Sequence, residues 1–407
     1  MYWTLALLAG FAFAYGLLSR RVERGSLGGP LVFTAFGLAA GPLGLHLLDL
    51  SIEAEVLRTL VELTLALVLF TDAAKADLAV LARSRQIPLR LLLLGLPLSI
   101  LLGYAVGLPL FGDLAWVEVA VLATVLAPTD AALGKAVVAD PGVPPRVREA
   151  INVESGLNDG LCVPIFYVFL TLATHETGPD RFATVAITLM LEEIGIGALV
   201  GLGLAAAAAR LLQAGRLHRT VAETWAPVLL AALAVALFAT AQALGGSGFI
   251  ACFAGGLLFG RLVPRHRHAL LLEAEASGGV LSLITWVAFG AAVIGPALAG
   301  FTWDVLLYAL LSLTAIRILP VLLVLSGSGL ALRERLFIAW FGPRGLASIV
   351  FAAIVLIEAL PSGKTLVMTV VTTVLLSVVA HGLTARPLIA WLGRRADAAG
   401  PGRKSAG

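Results

Sequence analysis

Charge is scarce in this chain. Only 13% of its 407 residues are Asp, Glu, Lys or Arg, about half the share of an ordinary soluble domain. Cysteine is scarcer still. Cys162 and Cys252 both lie in apolar segments, where a buried thiol reads as a small hydrophobe before it reads as half of a disulfide or a metal ligand. Zinc-ligand spacing, a phosphate loop and a dinucleotide fingerprint are all missing, so no cofactor is expected. What the chain has in abundance is apolar side chains: 59% of residues, with a mean hydropathy of +0.99. A backbone that spans a bilayer must satisfy its own hydrogen bonds, so the expected class is an all-α polytopic membrane protein.

The hydrophobic runs number thirteen. They fall near Trp3–Leu18, Leu31–Leu50, Leu57–Thr71, Pro88–Phe111, Ala115–Ala139, Val147–Ala173, Phe182–Leu212, Glu223–Leu244, Phe249–Leu262, Ala269–Ile294, Trp303–Leu325, Leu336–Leu360 and Leu366–Leu392. The first is followed by Arg20, Arg21 and Arg24 with no base before it, the reverse of a cleavable signal, so a retained helix is expected. If the even-numbered turns and the C-terminal tail are cytoplasmic, they hold 21 of the 28 Lys and Arg, and the outer turns hold only Arg58, Arg181 and Lys364. That asymmetry predicts about 13 transmembrane helices in a domain over 1–393, with the N-terminus outside and the C-terminus inside. It also makes the pI near 9.1 a consequence of topology, with no nucleic-acid partner implied. The tail at 394–407 is expected to be short, cytoplasmic and disordered.

Three stretches break the apolar pattern. Glu154-Ser155-Gly156-Leu157-Asn158-Asp159-Gly160 interrupts the sixth run with two acids and an amide. A carboxylate at mid-membrane costs about 2.5–3.5 kcal/mol on insertion scales, and such residues are functional by default. On a helix Glu154 and Asn158 form one i, i+4 column, and Ser155 and Asp159 another. The fifth run contains Ala127-Pro128-Thr129-Asp130 and the twelfth Gly342-Pro343-Arg344-Gly345. Proline removes a helical hydrogen bond at each place, so both helices are expected to unwind and leave backbone groups seeking partners. Seven spans separate the two breaks, an odd number, so the halves would insert with opposite orientation. Each is followed by a run with intramembrane polar residues, Ser377 and His381 in the second case. This is the layout of an inverted repeat with two crossed discontinuous helices.

Taken together, these three motifs in this order resemble the NhaP-type sodium/proton antiporters, the Asn-Asp branch related to animal sodium/hydrogen exchangers. The resemblance covers essentially the whole chain. It implies the crossed-helix antiporter fold, with a transport core built around 115–173 and 301–393, the remaining helices forming a dimerisation bundle, and a homodimer in the cell membrane. It implies exchange of Na+, or Li+ or K+, for H+ by alternating access, one for one, in pH and sodium homeostasis. By position, Asp159 resembles the carboxylate that holds either cation or proton, and Ser155 and Thr129 the residues that lend it oxygens for Na+. Glu154 resembles the acid paired with an arginine of the eleventh segment, here Arg317. Asn158 and Asp130 resemble the polar groups of the crossing, and Arg344 the arginine of the second break.

The residues support the same chemistry independently. Hard monovalent cations take oxygen ligands, and a desolvated carboxylate is neutralised by a proton or by a cation. If the bare anion cannot cross, the two fluxes are coupled. Asp130 could also cap the second half of its broken helix, and a Glu154 salt bridge could simply brace two helices. Asp72 is placed near a cytoplasmic funnel or a helix end. Glu192, Glu193, Glu273, Glu275, Glu358 and Lys135 read as interfacial or snorkelling side chains, and His46 and His381 as packing. Two other readings stand beside the exchanger: a channel, which would conduct without coupling, and an intramembrane enzyme using Glu154 and Asp159 as an acid pair.

Overall fold

Apolar runs of this length, without water to bond their backbones, can close their hydrogen bonds only within helices. The computed structural model describes residues 2–23, 28–48, 54–76, 86–130, 133–134, 137–138, 140–174, 179–214, 225–263, 267–294 and 301–393. The expected tail at 394–407, Lys135 and the side chains of Glu273 and Glu275 lie outside the described residues. Among the described residues every regular element is helical.

Each of the thirteen runs has a helix in its place. They are α1 (Tyr2–Glu23), α2 (Gly29–Ala40), α3 (Ala54–Lys75), α4 (Gln86–Leu110) and α5, regular over Trp116–Val125 and helical again at 133–134 and 137–138. There follow α6 (Pro145–Thr174), α7 (Pro179–Ala214), α8 (Ala226–Ala243), α9 (Gly248–Leu262) and α10 (Arg267–Ala288). Last come α11 (Trp303–Leu313 and Ala315–Val324), α12 (Leu332–Trp340 and Leu346–Ile357) and α13 (Gly363–Gly393). Within this set α1, α4, α6, α7, α11 and α13 contain helices long and apolar enough to cross a membrane.

Three irregularities were not foreseen. A π turn over Leu91–Gly95 sits inside α4, and another over Phe289–Val293 extends α10. The third interrupts α11 at Thr314, where φ is −113° and ψ −94°. There the Thr314 hydroxyl donates back to Leu310 O at 2.6 Å. The helix resumes at Ala315, with Arg317 in its first turn.

Packing sorts the helices into two groups. α5 packs on α4 and α6, α11 on α4 and α13, and the second half of α12 on α13. α4, which lies outside the 115–173 and 301–393 ranges, therefore joins the helices around the breaks. In the other group α9 lies between α7 and α3, and α10 against α3, α2 and α8. Small residues permit the α7–α9 approach: a Cβ on Gly201 would lie 2.8 Å from the Ala251 Cα. The groups are joined by α3, which packs on α6 and the second half of α12, and by α7 and α9, which pack on α6. α1 stacks Phe11 on Phe36 of α2, with ring centroids 3.8 Å apart, while Trp3 and Leu17 remain 83% and 72% exposed. Both cysteines are buried and free.

At one end of the broken-helix group a buried carboxylate ties two helices together. Glu118 accepts from Ala115 N at 3.1 Å and from Ser362 N at 2.8 Å, capping the start of α5 and the start of α13 with one side chain.

Candidate ion-binding site

The two breaks meet, and their freed backbone groups can be accounted for one by one. Asp130 N donates to Pro343 O at 2.7 Å, joining the breaks main chain to main chain. Arg344 Nη1 donates to the carbonyls of Ala127 and Pro128, the latter at 3.1 Å, and Nη2 reaches Ser312 O at 3.5 Å. Ser348 Oγ donates to Val125 O at 2.8 Å. The carbonyls that Pro128 releases from α5 are thus taken up by side chains of α12. In return, Asp130 accepts from Leu133 N at 3.0 Å and from Leu346 N at 2.7 Å, so one carboxylate caps the second halves of both broken helices. That extends the expected role, which reached only its own helix. Gly345 makes the contact possible, because a Cβ there would collide with the Asp130 carboxylate; a Cβ on Gly342 would collide with the Arg317 guanidinium.

Helix α6 runs past this crossing and presents its polar columns to it. Glu154 forms a two-pronged ion pair with Arg317, Nη1 to Oε1 at 2.6 Å and Nη2 to Oε2 at 2.8 Å. Both side chains are buried, at 3% and 2% exposure. Arg344 is fully buried too, but its partners are carbonyls. The planar fork of Arg317 suits a carboxylate.

Beside this pair, Thr129 and Ser155 bring their hydroxyl oxygens within 3.0 Å, and Asn158 Nδ2, one helical turn beyond Glu154, donates to Thr129 Oγ1 at 2.7 Å. These oxygens are buried and can turn lone pairs toward a cation. Asp159 lies beside them at 8% exposure. Its Oδ1 is buried without a hydrogen-bond partner, as is Asn158 Oδ1. Two further carboxylates, Asp130 and Asp72, lie within electrostatic reach of Asp159.

Asp72 belongs to α3, and a Cβ on Gly156 would stand 3.8 Å from its Cβ. It is thus packed against the motif, at its edge: the side chain is 22% exposed and lies 3.6 Å from Lys75 Nζ. The interfacial acids stay out of the cluster. Glu192 and Glu358 are exposed and Glu193 is partly so. His46 is exposed on the turn after α2. His381 is buried, bonded to α12.

The formal charges at the crossing decide what the cluster can do. Glu154 and Asp130 are matched in number by Arg317 and Arg344, all four buried. Asp159 is left over. Among the described residues at the crossing no cation is left to match it, and a buried charge with no counter-charge is strongly disfavoured.

Several participants were missed by sequence reasoning. Ser348 and Glu118 hold the broken helices but sit as single polar residues in apolar runs, with no spacing to mark them, and Ser312 takes part through its carbonyl. Ser377 and His381, at i and i+4, were visible as a pair and left aside.

Comparison with known proteins places this geometry. The structure of the sodium proton antiporter MjNhaP1 from Methanocaldococcus jannaschii matches with a TM-score of 0.78 over 94% of this chain and 98% of that one, at 22% identity. The fold is therefore the antiporter fold of MjNhaP1. The K(+)/H(+) antiporter NhaP2 of Shewanella oneidensis is 26% identical over 62% of this chain and 43% of its own length. The Na(+)/H(+) antiporter NhaH of Halobacillus dabanensis is 27% identical over 62% of this chain and 63% of its own. The chain thus spans about half the length of the NhaP2 relatives it matches. The family described as "Sodium/hydrogen exchanger, transmembrane" matches residues 6–391, nearly the whole chain, and this multi-pass membrane protein belongs to that family.

Proposed function

We propose that this protein exchanges a monovalent cation for a proton across the cell membrane by alternating access, one for one, with Asp159 as the shared site. The observation that carries this reading is the uncompensated Asp159 at a crossing where the other buried acids, Glu154 and Asp130, are matched in number by Arg317 and Arg344. A proton neutralises the carboxylate by forming its O–H. A monovalent cation neutralises it by coordination, with Thr129 and Ser155 supplying neutral oxygens. A divalent ion would leave an excess positive charge. Since the bare anion is too costly to carry across, a core that moves only when loaded couples the two fluxes.

With Asn158 beside the carboxylate, the cluster carries one uncompensated acid. Each half-cycle then moves one positive charge against one negative, and net charge is conserved in exchange. The relatives' names divide between potassium and sodium, and sodium, lithium and potassium are all candidates. The enzyme reading loses its acid pair, because both oxygens of Glu154 are engaged by Arg317. A homodimer formed by the helices outside the crossing is part of this proposal, supported by the family resemblance and tested by cross-linking in native membranes.

The decisive experiment is proton flux in proteoliposomes driven in turn by gradients of sodium, lithium and potassium, with Asp159→Asn as control. A cation gradient should drive protons uphill in the parent and not in the variant. Equal flux in both would overturn the assignment, and cation conductance without proton movement would favour a channel.

A further inference from the structure

His381 and Ser377 lie one turn apart on α13, exposed by only 2% and 0%, and the ion site does not use them. They touch both lips of the α12 break. At its start, Trp340 is the last residue of the first half-helix, and its carbonyl faces His381 Nε2 at 2.9 Å. At its end, Arg344 N donates to Ser377 Oγ at 2.7 Å. Trp340 Nε1 adds a third tie, to Thr384 Oγ1 at 2.9 Å. α13 therefore grips the segment that carries Arg344.

The grip has two hydrogen-bonding patterns. His381 Nδ1 stands 2.8 Å from Ser377 O and 3.2 Å from Ser377 Oγ. A neutral imidazole donates from one nitrogen only. Nε2 faces only an acceptor, Trp340 O, whereas Nδ1 also faces the Ser377 hydroxyl, which can donate; the neutral form that satisfies both nitrogens carries its proton on Nε2, with Nδ1 accepting from the Ser377 hydroxyl. The chain then runs from Arg344 N–H to Ser377 O–H to His381. A second proton on Nδ1 turns that nitrogen into a donor toward Ser377 O, both carbonyls are satisfied, and the Ser377 hydroxyl hydrogen is released.

We propose that His381 is a positioning residue: by gaining and losing a proton it resets the hold of Ser377 on Arg344, and so sets the maximal rate of exchange independently of Asp159. The inference rests on the exchange reading above. The charged groups acting on His381 are Arg344 from the break and Arg317 from α11, both cationic and opposed to a second positive charge. Favouring it are Ser377 O and the carbonyl end of the first half of α12, the negative end of that helix. The rings of Trp340 and Phe341, with centroids 5.2 and 6.1 Å away, complete the enclosure. Histidine is the side chain whose ordinary charge change falls between about pH 5 and 8, and the switch is tested across that window.

The test separates maximal rate from cation affinity. Exchange is measured in proteoliposomes across that pH window for the parent and for His381→Gln, which keeps a donor toward Trp340 O and gains no charge. Competition at Asp159 appears in the KM for the cation. The His381 switch should appear in the maximal rate, changing it about fivefold across the window, the effect of one hydrogen bond on an equilibrium. His381→Gln should flatten that profile and leave the pH dependence of KM in place. An unchanged maximal-rate profile in the variant would sink the inference.

A second measurement does not depend on that variant folding. Nitrogen NMR of the [15N]histidine-labelled parent, assigned by the signal that moves in Ser377→Ala, should show one ring gaining a second N–H in the same window. A ring that keeps a single tautomer throughout would sink it equally. Absence of exchange in the parent would instead count against the proposed function, with the histidine titration still legible.

Discussion

Glu154 and Asp159 stand five residues apart on α6, both buried in the same cluster, and the fold provides for them in opposite ways. Glu154 has a guanidinium on both oxygens at 2.6 and 2.8 Å. Asp159 keeps an oxygen without a partner. Burial alone therefore does not identify a working carboxylate in a membrane. The useful quantity is burial less compensation, and by that measure one acid holds the helices together and the other, on the proposed function, is left to be neutralised by cargo.

The contrast can be broken most severely at Asp159. Asp159→Asn removes the uncompensated charge and should abolish exchange of every cation, read as flux in proteoliposomes, while melting in detergent at or above the parent temperature. A variant that melts lower and still transports would reverse the two roles. Next in size is the pair. Glu154→Gln leaves Arg317 buried without a counter-charge and should cost about 3–5 kcal/mol, seen as loss of folded protein on heating. Glu154→Gln with Arg317→Gln should recover most of that stability; a double variant no better than the single would mean that Arg317 contributes more than its charge.

Smaller effects sharpen the comparison. Thr129→Val and Ser155→Ala each remove one neutral oxygen, worth about 1 to 1.5 kcal/mol, so the KM for the cation should rise about tenfold in each with little change in maximal rate. An unaltered KM would take that hydroxyl out of the coordination shell. In the parent, KM should also rise as pH falls, since proton and cation compete for one carboxylate. Asp72 is the mildest case, a third acid that is partly exposed and beside Lys75. Asp72→Asn should raise KM about twofold at low ionic strength, the difference vanishing as salt screens the site. Persistence of the effect at high salt would move Asp72 from the edge of the site into it.

Much of this was legible in the chain because membranes make polarity expensive. All thirteen helices could be placed from apolar runs, and both breaks from Pro128 and Pro343. Glu154, Asn158 and Asp159 announced themselves by being where lipid forbids them. The interruption at Thr314 left no such mark, since threonine is ordinary in a membrane helix. The partners of Arg344 were equally hidden: backbone carbonyls have no sequence signature, so an arginine that serves Ala127, Pro128 and Ser312 looks like one waiting for an acid. His381 was set aside as packing for a related reason, its two carbonyl neighbours being contributed by main chain. The number of crossings and the orientation of the chain still rest on the distribution of Lys and Arg.

Asp130 closes the starts of two helices, one at Leu133 and one at Leu346, 216 residues beyond it in the chain. Neither half-helix can slide past the other without stripping a carboxylate of an amide it has no means of replacing in a dry interior. On the proposed alternating access, whatever opens the site to one side and then the other would carry both broken helices as a single piece, sliding at the contacts that α3 makes with α6 and α12 and that α7 and α9 make with α6.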